Sequence, residues 1–213
     1  SAVCGIPVTD KSWAFVSLGT WCVFGTETDS PVLDENILKY DITNEGISPK
    51  RSFLAKNTTG LWVIQQCMQK WRSSIDMDLS YADIDNLYPQ AQCFNAFIDM
   101  DDPVFASPQT DMPLVIFDYC KERGFDIKDD IKDISRCIYE SIILNIRHYI
   151  ELLSTFSKKD FMKLYLFGGG ANNKLFCQWL SDALLIPVII SNPESASIGN
   201  MLMQLIADNE ASN

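Results

Sequence analysis

Residues 164–191 read LYLFGGGANNKLFCQWLSDALLIPVIIS, and this stretch decides the fold class of the chain. An apolar strand, LYLF, runs into three glycines and two asparagines, and the stretch after them predicts a helix through about Leu185. A second apolar strand, IPVIIS, follows, and a further helix is predicted from Glu194 to about Ala207. The order of strand, glycine turn, helix, strand and helix is typical of α/β proteins, which bind ligands at the ends of their strands.

The glycine run at Gly168, Gly169 and Gly170 is a candidate ligand-binding turn. Where side chains are absent, the backbone can approach a ligand, and its N–H groups can face an anion or a planar base. The run is not a P-loop, because no Gly-Lys-Ser/Thr follows it, and Asn173 stands where a dinucleotide fingerprint has its last glycine. Alternatively, these glycines serve only a tight turn and close packing.

A second glycine turn, SLGT at residues 17–20, lies far away in the sequence. Residues 13–28, WAFVSLGTWCVFGTET, predict a hairpin whose turn is at Gly19 and Thr20. A hydroxyl residue on such a turn can offer Oγ and a backbone N–H to a phosphate. Glycine and threonine are also ordinary turn residues, so this motif alone leaves both interpretations open. The sequence YDITNEG, at residues 40–46, suggests a further hairpin-like stretch.

The residues that follow NTTG (57–60) predict an amphipathic helix that starts near Thr58. Its apolar face consists of four residues at helical spacing: Leu61, Ile64, Met68 and Trp71. Gln65 lies at the margin of this face, where a surface position and a ligand contact are both open. Asn57 lies just ahead of the helix, so it is either a cap or turn residue or a ligand contact.

The middle of the chain predicts helices and loops and no sheet. Residues 74–131 are rich in aspartate and interrupted by prolines, which favours short helices and loops. The aspartates are spread out and indicate a solvated acidic face, since no calcium-binding loop pattern is present. From Ile134 onward, an apolar stripe predicts a long helix that ends near Phe156.

The composition excludes several classes of protein. The 213 residues are 47% hydrophobic and 21% charged, which is ordinary for a globular domain, and the formal net charge is -11. Because this charge repels phosphates and anionic lipid, we expect no nucleic-acid or membrane partner. The seven cysteines form no C-x-x-C pair, so we expect reduced and mostly buried thiols in a cytoplasmic protein. His148 is the single histidine and cannot by itself form a triad or a zinc site.

Several stretches, taken in order and spacing, resemble the L-rhamnulokinases of the FGGY family of carbohydrate kinases. They are SLGTW (17–21), ITNEG (42–46), LAKNTTGLWVIQQC (54–67), FIDMDDPVFASP (97–108) and the segment from GGGANN to GNMLMQLI (168–206). This resemblance covers nearly the whole chain. It implies an α/β fold of the actin-like ATPase (ribonuclease H-like) type, with a mixed sheet flanked by helices. Residues 1–213 would then form the C-terminal domain of a two-lobe sugar kinase.

The resemblance also implies a role for each candidate residue on the nucleotide side. Thr20, with Gly19, would contact the terminal phosphates of ATP, and Gln65 would also face the nucleotide. The glycine run at 168–170 would lie against the adenosine or its phosphates, with Gly169 in the middle. The resemblance therefore implies that ATP and ADP bind to this chain.

The reaction implied by the resemblance is transfer of the γ-phosphoryl group of ATP, with Mg²⁺, to C1 of L-rhamnulose. Asn57 would reach toward the sugar. L-fuculose and xylulose remain alternative sugars, and a nucleotide-binding or interaction module without catalysis is an alternative function.

The catalytic base is expected just upstream of Ser1. In the family it is an aspartate in a His-Asp-Thr-Ala-Ser-Ala-Val segment, and only Ser1, Ala2 and Val3 match the end of that segment. The resemblance assigns the missing N-terminal lobe the first phosphate loop, the magnesium-associated carboxylate and most of the sugar pocket. We therefore expect no catalytic residue and no metal ligand in this chain, no activity from it alone, and pairing of its uncovered cleft face with a second copy.

Overall fold

The computed structural model describes residues 2–6, 8, 10–48, 51–75, 78–192 and 195–208. The strands are β1 (Trp13–Leu18), β2 (Trp21–Thr28), β3 (Thr43–Ser48), β4 (Arg51–Thr59), β5 (Lys163–Phe167) and β6 (Val188–Ile190). The α-helices are α1 (Trp62–Ile75), α2 (Tyr81–Leu87), α3 (Pro103–Ala106), α4 (Met112–Glu122), α5 (Ile131–Ser157), α6 (Lys174–Leu184) and α7 (Ser195–Ala207). The 3-10 helices are Ala2–Gly5, Glu35–Tyr40, Tyr88–Gln90 and Gly169–Asn172.

The six strands form one mixed sheet in the order β3-β4-β2-β1-β5-β6. Strands β1 to β4 pair antiparallel as two successive hairpins, while β5 pairs parallel with both β1 and β6. Because β1 and β5 run in the same direction, the β1–β2 turn and the glycine run follow neighbouring strand ends. The topology therefore brings together two glycine turns that are about 150 residues apart in the sequence.

Alternating residues of the central strands supply two cores, as the pleat of a strand requires. One face carries Val16 and Leu166 and packs against the helical layer, including α1, α4, α5 and α6. The other face carries an aromatic cluster that Ile6 of the N-terminal segment covers, consisting of Trp13, Phe15, Tyr165 and Phe167. Helix α7 contacts the N-terminal 3-10 helix, so the start and the end of the described chain meet.

Helix α5 is the longest element and organises the larger core. Its N-cap Asp130 accepts a hydrogen bond from the N–H of Asp133, and Lys158 ends it in the left-handed conformation. Along its buried stripe, Tyr149 donates a hydrogen bond to Asp101 (2.5 Å). Asp101 also lies 3.5 Å from the buried ammonium of Lys56 on β4.

The structure confirms most of the predicted elements and corrects one. Both hairpins, the long helix and the strand and helix order of the last third are present, apart from Glu194, which lies outside the described residues. The predicted start of α1 near Thr58 is wrong, because β4 continues to Thr59 and α1 begins at Trp62. Asn57 is therefore a strand residue paired with Val23 and not a helix cap.

The structure also shows where the cysteines and the histidine lie. All seven cysteines are free, and five of them are buried. His148 is exposed on α5. In the described part of the chain, no group of His, Cys, Asp and Glu side chains is placed to hold a metal ion. None of the helices in these same ranges has the length and apolar character that crossing a bilayer requires.

Candidate functional site

A cleft of about 390 Å³ opens at the carboxyl ends of β1 and β5. It lies between the β1–β2 turn, the N-terminal half of α1, the glycine run and helices α2, α5 and α6. The predicted residues that line it are Gly19, Thr20, Gln65, Gly169 and Gly170, joined by Leu18, Leu61, Tyr81, Asp85, Tyr139, Asn172, Asn173 and Phe176. The position agrees with the general rule that α/β sheets bind ligands at their strand ends.

The β1–β2 turn is bonded directly to the start of α1. The carbonyl of Thr20 accepts hydrogen bonds from the N–H groups of Gly60 and Trp62 (3.1 Å each), and the carbonyl of Gly19 accepts one from Leu61 (2.7 Å). A Cβ on Gly60 would lie only 2.7 Å from the Gly19 oxygen, so the close approach requires glycine. The turn and the helix therefore hold a fixed position relative to each other.

Thr20 and Gln65 meet across this junction. The Thr20 Oγ1 donates a hydrogen bond to the Gln65 Oε1 (3.4 Å), and both side chains line the cleft. The Gly19 N–H donates to the carbonyl of Trp21 (2.9 Å) and so serves the hairpin itself. The Thr20 hydroxyl, once its proton turns away from Gln65, and the Gln65 Nε2 are therefore the side-chain donors that this end of the cleft can offer to an anion.

The three glycines of the run differ in what they contact. Gly168 has a φ of 90°, and a Cβ there would lie 2.6 Å from the Leu18 carbonyl oxygen. A Cβ on Gly170 would lie 2.3 Å from the Leu18 side chain, whereas one on Gly169 would meet no atom within 4 Å. Close packing thus explains Gly168 and Gly170, and Gly169 is the exposed glycine whose backbone faces open space. Gly168 does not line the cleft, in contrast to its two neighbours.

The other end of the cleft is built around Asn173, the N-cap of α6. The Asn173 Oδ1 accepts hydrogen bonds from the N–H of Phe176 (2.9 Å) and from the hydroxyl of Tyr88 (3.2 Å). Its Nδ2 donates to the Asp85 Oδ1 (2.7 Å). Burial raises the pKa of Tyr88 to about 12, so its hydroxyl keeps its proton as a donor at neutral pH. These bonds fix the orientation of the Asn173 amide.

The cleft carries little charge of its own. Among the described residues that line it, none is cationic, and Asp85 is the single carboxylate. Burial raises the pKa of Asp85 above its ordinary value, because a partly desolvated carboxylate is less stable when ionised. The cleft therefore has the Thr20 hydroxyl and exposed backbone at one end. At the other end it has aromatic rings and one hydrogen-bond acceptor, the Asp85 carboxylate.

Asn57 lies outside this cleft, which separates it from the other predicted residues. It is exposed on β4, opposite Val23 on β2, and its side chain points to the same sheet face as the aromatic cluster. Trp21, which is 55% exposed, lies diagonally across from it on that face. Asn57 thus faces the side of the sheet on which the N-terminal segment lies.

The lining residues that the sequence predictions did not identify include Tyr81, Asp85 and Tyr139, whose side chains carry polar groups. Tyr81 and Asp85 belong to α2, whose start was readable, since Ser80 and Asp83 form a capping box. Nothing in the local sequence separates Asp85 from the other aspartates of this region. Tyr139 lies on the buried stripe of α5 and is typical of a core residue.

Comparisons with known proteins agree on one family. The sequence profile of the FGGY family of carbohydrate kinases, C-terminal domain, matches residues 14–207. A rhamnulokinase of Bacteroides thetaiotaomicron is 34% identical over 211 residues, which are 99% of this chain and 42% of that protein. The chain thus spans about two fifths of the length of such relatives.

Solved structures show the same fold. The ligand-bound xylulose kinase from Lactobacillus acidophilus matches 100% of this chain and 42% of its own, with a TM-score of 0.72 and 14% identity. The glycerol kinase of Plasmodium falciparum, solved with ADP, matches 100% of this chain and 42% of its own, with a TM-score of 0.69 and 13% identity. The predicted actin-like fold and family are confirmed, and this chain belongs to the FGGY family of carbohydrate kinases.

Proposed function

We propose that the chain is the nucleotide-binding C-terminal domain of an ATP-dependent ketose kinase that makes L-rhamnulose 1-phosphate and ADP. The observation that carries this proposal is the single cleft in which the turn at Gly19 and Thr20, Gln65 and the glycine run come together. These elements are far apart in the sequence, and each of them alone has an ordinary structural explanation. The relatives that support rhamnulose as the acceptor are named rhamnulokinases and include one at 34% identity.

In this proposal, the terminal phosphates of ATP lie at the Thr20 end of the cleft and the nucleoside lies at the aromatic end. When the nucleotide binds, Thr20 Oγ1 turns its single proton from Gln65 to a phosphoryl oxygen, and the Gln65 amide rotates so that its Nε2 donates to Oγ1 and holds the hydroxyl in place. The exposed backbone at Gly169 lets the nucleotide pass close to the chain. Phosphoryl transfer depends mainly on such positioning and on neutralisation of charge, so groups at a fixed spacing contribute to the rate.

Neutralising the phosphates requires groups beyond those of this cleft. The described residues that line it include no cation, and their one carboxylate, Asp85, bonds to Asn173 at the aromatic end. Mg²⁺ binds to carboxylates and phosphate oxygens, so these residues do not fit a Mg²⁺ site beside Thr20. We expect the ligands of Mg²⁺, together with the catalytic base, to come from the proposed N-terminal lobe.

The acceptor sugar is proposed to bind on the side of Asn57. That side chain is exposed on the sheet face that the N-terminal segment partly covers, and the base is expected just upstream of Ser1. A sugar beside Asn57 and a nucleotide in the cleft would then approach each other near the β1–β2 turn. This arrangement accounts for a substrate contact that lies outside the nucleotide cleft.

The test compares this chain with a longer protein in which the segment encoded before Ser1 is included. With ATP and Mg²⁺, the longer protein is expected to phosphorylate L-rhamnulose in preference to L-fuculose and xylulose, and this chain alone is expected to phosphorylate none of them. Preference for another ketose would replace the sugar, and a longer protein that phosphorylates no ketose would favour a nucleotide-binding module without catalysis.

A pair of substitutions separates the role of the Thr20 hydroxyl from the shape of the turn. Thr20→Val in the longer protein removes the donor and is expected to lower kcat by about 100-fold, in the range measured for single transition-state donors. Thr20→Ser keeps the donor and is expected to retain most of the activity. Equal losses in the two variants would argue against a phosphate contact by this hydroxyl.

A further inference from the structure

Asp85 lies at the aromatic end of the cleft, and one of its two carboxylate oxygens is hydrogen-bonded within the protein. Its Oδ1 accepts a hydrogen bond from the Nδ2 of Asn173 (2.7 Å). Among the described residues, no hydrogen bond reaches the second oxygen, Oδ2, although Asp85 lines the cleft and is half-buried. A partly buried acceptor is costly unless it receives a hydrogen bond, so this oxygen is suited to a donor on a ligand.

The surroundings of Asp85 suit a planar base better than a ribose. Three aromatic residues line the same end of the cleft: Tyr81, Tyr139 and Phe176. The ring centroids of Tyr139 and Phe176 lie 6.0 Å apart. Aromatic rings pack favourably against the flat faces of a base, whereas a ribose presents hydroxyl groups on all sides. A carboxylate would also repel the phosphates, which places them at the opposite, Thr20 end.

We propose that Asp85 selects the base of the nucleotide by accepting a hydrogen bond from the exocyclic amino group of adenine. This inference rests on the proposed function and names the residue that distinguishes adenine from other purines. A carboxylate can accept hydrogen bonds but cannot donate them. It therefore favours adenine, which carries an amino group at ring position 6, over hypoxanthine and guanine, which carry a carbonyl oxygen there.

The hydrogen bond from Asn173 to Asp85 also disfavours guanine bound by the edge that carries its N–H donors. Guanine offers two adjacent N–H donors, which pair best with both oxygens of one carboxylate. The Asp85 Oδ1 already accepts from Asn173, whose own orientation is fixed by Tyr88 and Phe176. One oxygen remains for the ligand, and a single amino group matches it.

The experiment measures the binding of ADP, IDP, 2′-deoxy-ADP and 3′-deoxy-ADP by calorimetry on this chain. The wild type is expected to bind ADP about tenfold or more tightly than IDP, the value of one hydrogen bond to a charged group. Asp85→Asn is expected to reverse this preference. Its amide oxygen will turn to the Asn173 Nδ2, so its NH₂ group faces the cleft and donates to the carbonyl of hypoxanthine.

Asp118→Asn provides the matched control, because Asp118 is exposed on α4 and lies outside the cleft. It makes the same change of charge and is expected to leave the ratio of ADP to IDP affinity unchanged. A gain in IDP binding by Asp85→Asn cannot result from unfolding, and the wild-type ratio is informative even if that variant fails to fold.

Three results would overturn the inference. Equal wild-type affinities for ADP and IDP would show that the cleft does not read position 6 of the purine. Asp85→Asn could instead lower the affinity for ADP but not the affinity for one of the deoxy nucleotides. That result would show that Asp85 contacts a ribose hydroxyl and not the base. Both of these leave the proposed function standing, whereas a wild type that binds neither ADP nor IDP would overturn the proposed function as well.

Discussion

Replacing Gly169 by valine is expected to weaken nucleotide binding while leaving the fold intact. A Cβ at this position meets no atom within 4 Å, and the φ of Gly169 lies outside the left-handed region, so valine can adopt the backbone without strain. The free energy of unfolding is therefore expected to change by no more than about 0.5 kcal/mol, as for most surface substitutions.

The same empty space is where the proposed nucleotide must pass. The valine carbons would enter a cleft of about 390 Å³ from the wall that Gly169 lines. Forcing extra carbon atoms into a fitted site costs about 1–3 kcal/mol, which corresponds to a loss of ADP affinity of roughly 5- to 150-fold. Calorimetry with ADP, together with urea unfolding of both proteins, measures the two quantities separately.

Gly168→Ala is the matched control for this substitution. Its φ of 90° and the Leu18 carbonyl oxygen, 2.6 Å from an added Cβ, predict a stability loss of at least about 1–3 kcal/mol from the backbone conformation alone. A Gly169→Val protein that is folded and binds ADP as tightly as the wild type would refute the placement of the nucleotide against this glycine.

Three further predictions concern stability, reactivity and pH. Asp101→Ala removes the less exposed of the two carboxylates beside the buried Lys56 ammonium and leaves it only the exposed Asp41 (3.6 Å). It is expected to lower the free energy of unfolding by about 3 kcal/mol in urea, more than Lys56→Met, which leaves no buried charge. Cys93 is the exposed thiol and is expected to react first with a thiol reagent in the native protein, while Cys22 reacts only after unfolding because burial raises its pKa. Because burial raises the pKa of Asp85 in the folded state, the folded protein holds that proton to higher pH, and its free energy of unfolding relative to Asp85→Asn is expected to fall as pH rises from about 3 to 7. A difference between these two proteins that is constant with pH would contradict the raised pKa.

The sequence was sufficient for elements whose pattern is local. The hairpin at Gly19 and Thr20 and the strand and helix order around the glycine run follow from apolar runs and glycine positions, and both occur as predicted. Family resemblance then supplied what local pattern could not, namely that these two turns share one cleft.

The prediction failed where tertiary contacts override local preference. The sequence predicts a helix start near Thr58, yet β4 continues to Thr59. Within this strand, the Lys56 ammonium lies 3.5 Å from Asp101, and Thr58 donates a hydrogen bond to the same carboxylate (2.8 Å). Asp85 was not identified because its significance depends on Asn173, which is 88 residues away. Such partners are set by packing between elements and leave no periodic signal.

The bonds between the β1–β2 turn and the start of α1 also have a mechanical consequence. Three backbone hydrogen bonds join Gly19 and Thr20 to this helix, which is about 21 Å long at 1.5 Å per residue over its 14 residues. If phosphate binding shifts the turn, α1 would move with it as a rigid body. Its motion would reach α4 and α5, against which α1 packs, so occupancy of the Thr20 end becomes detectable far from the cleft.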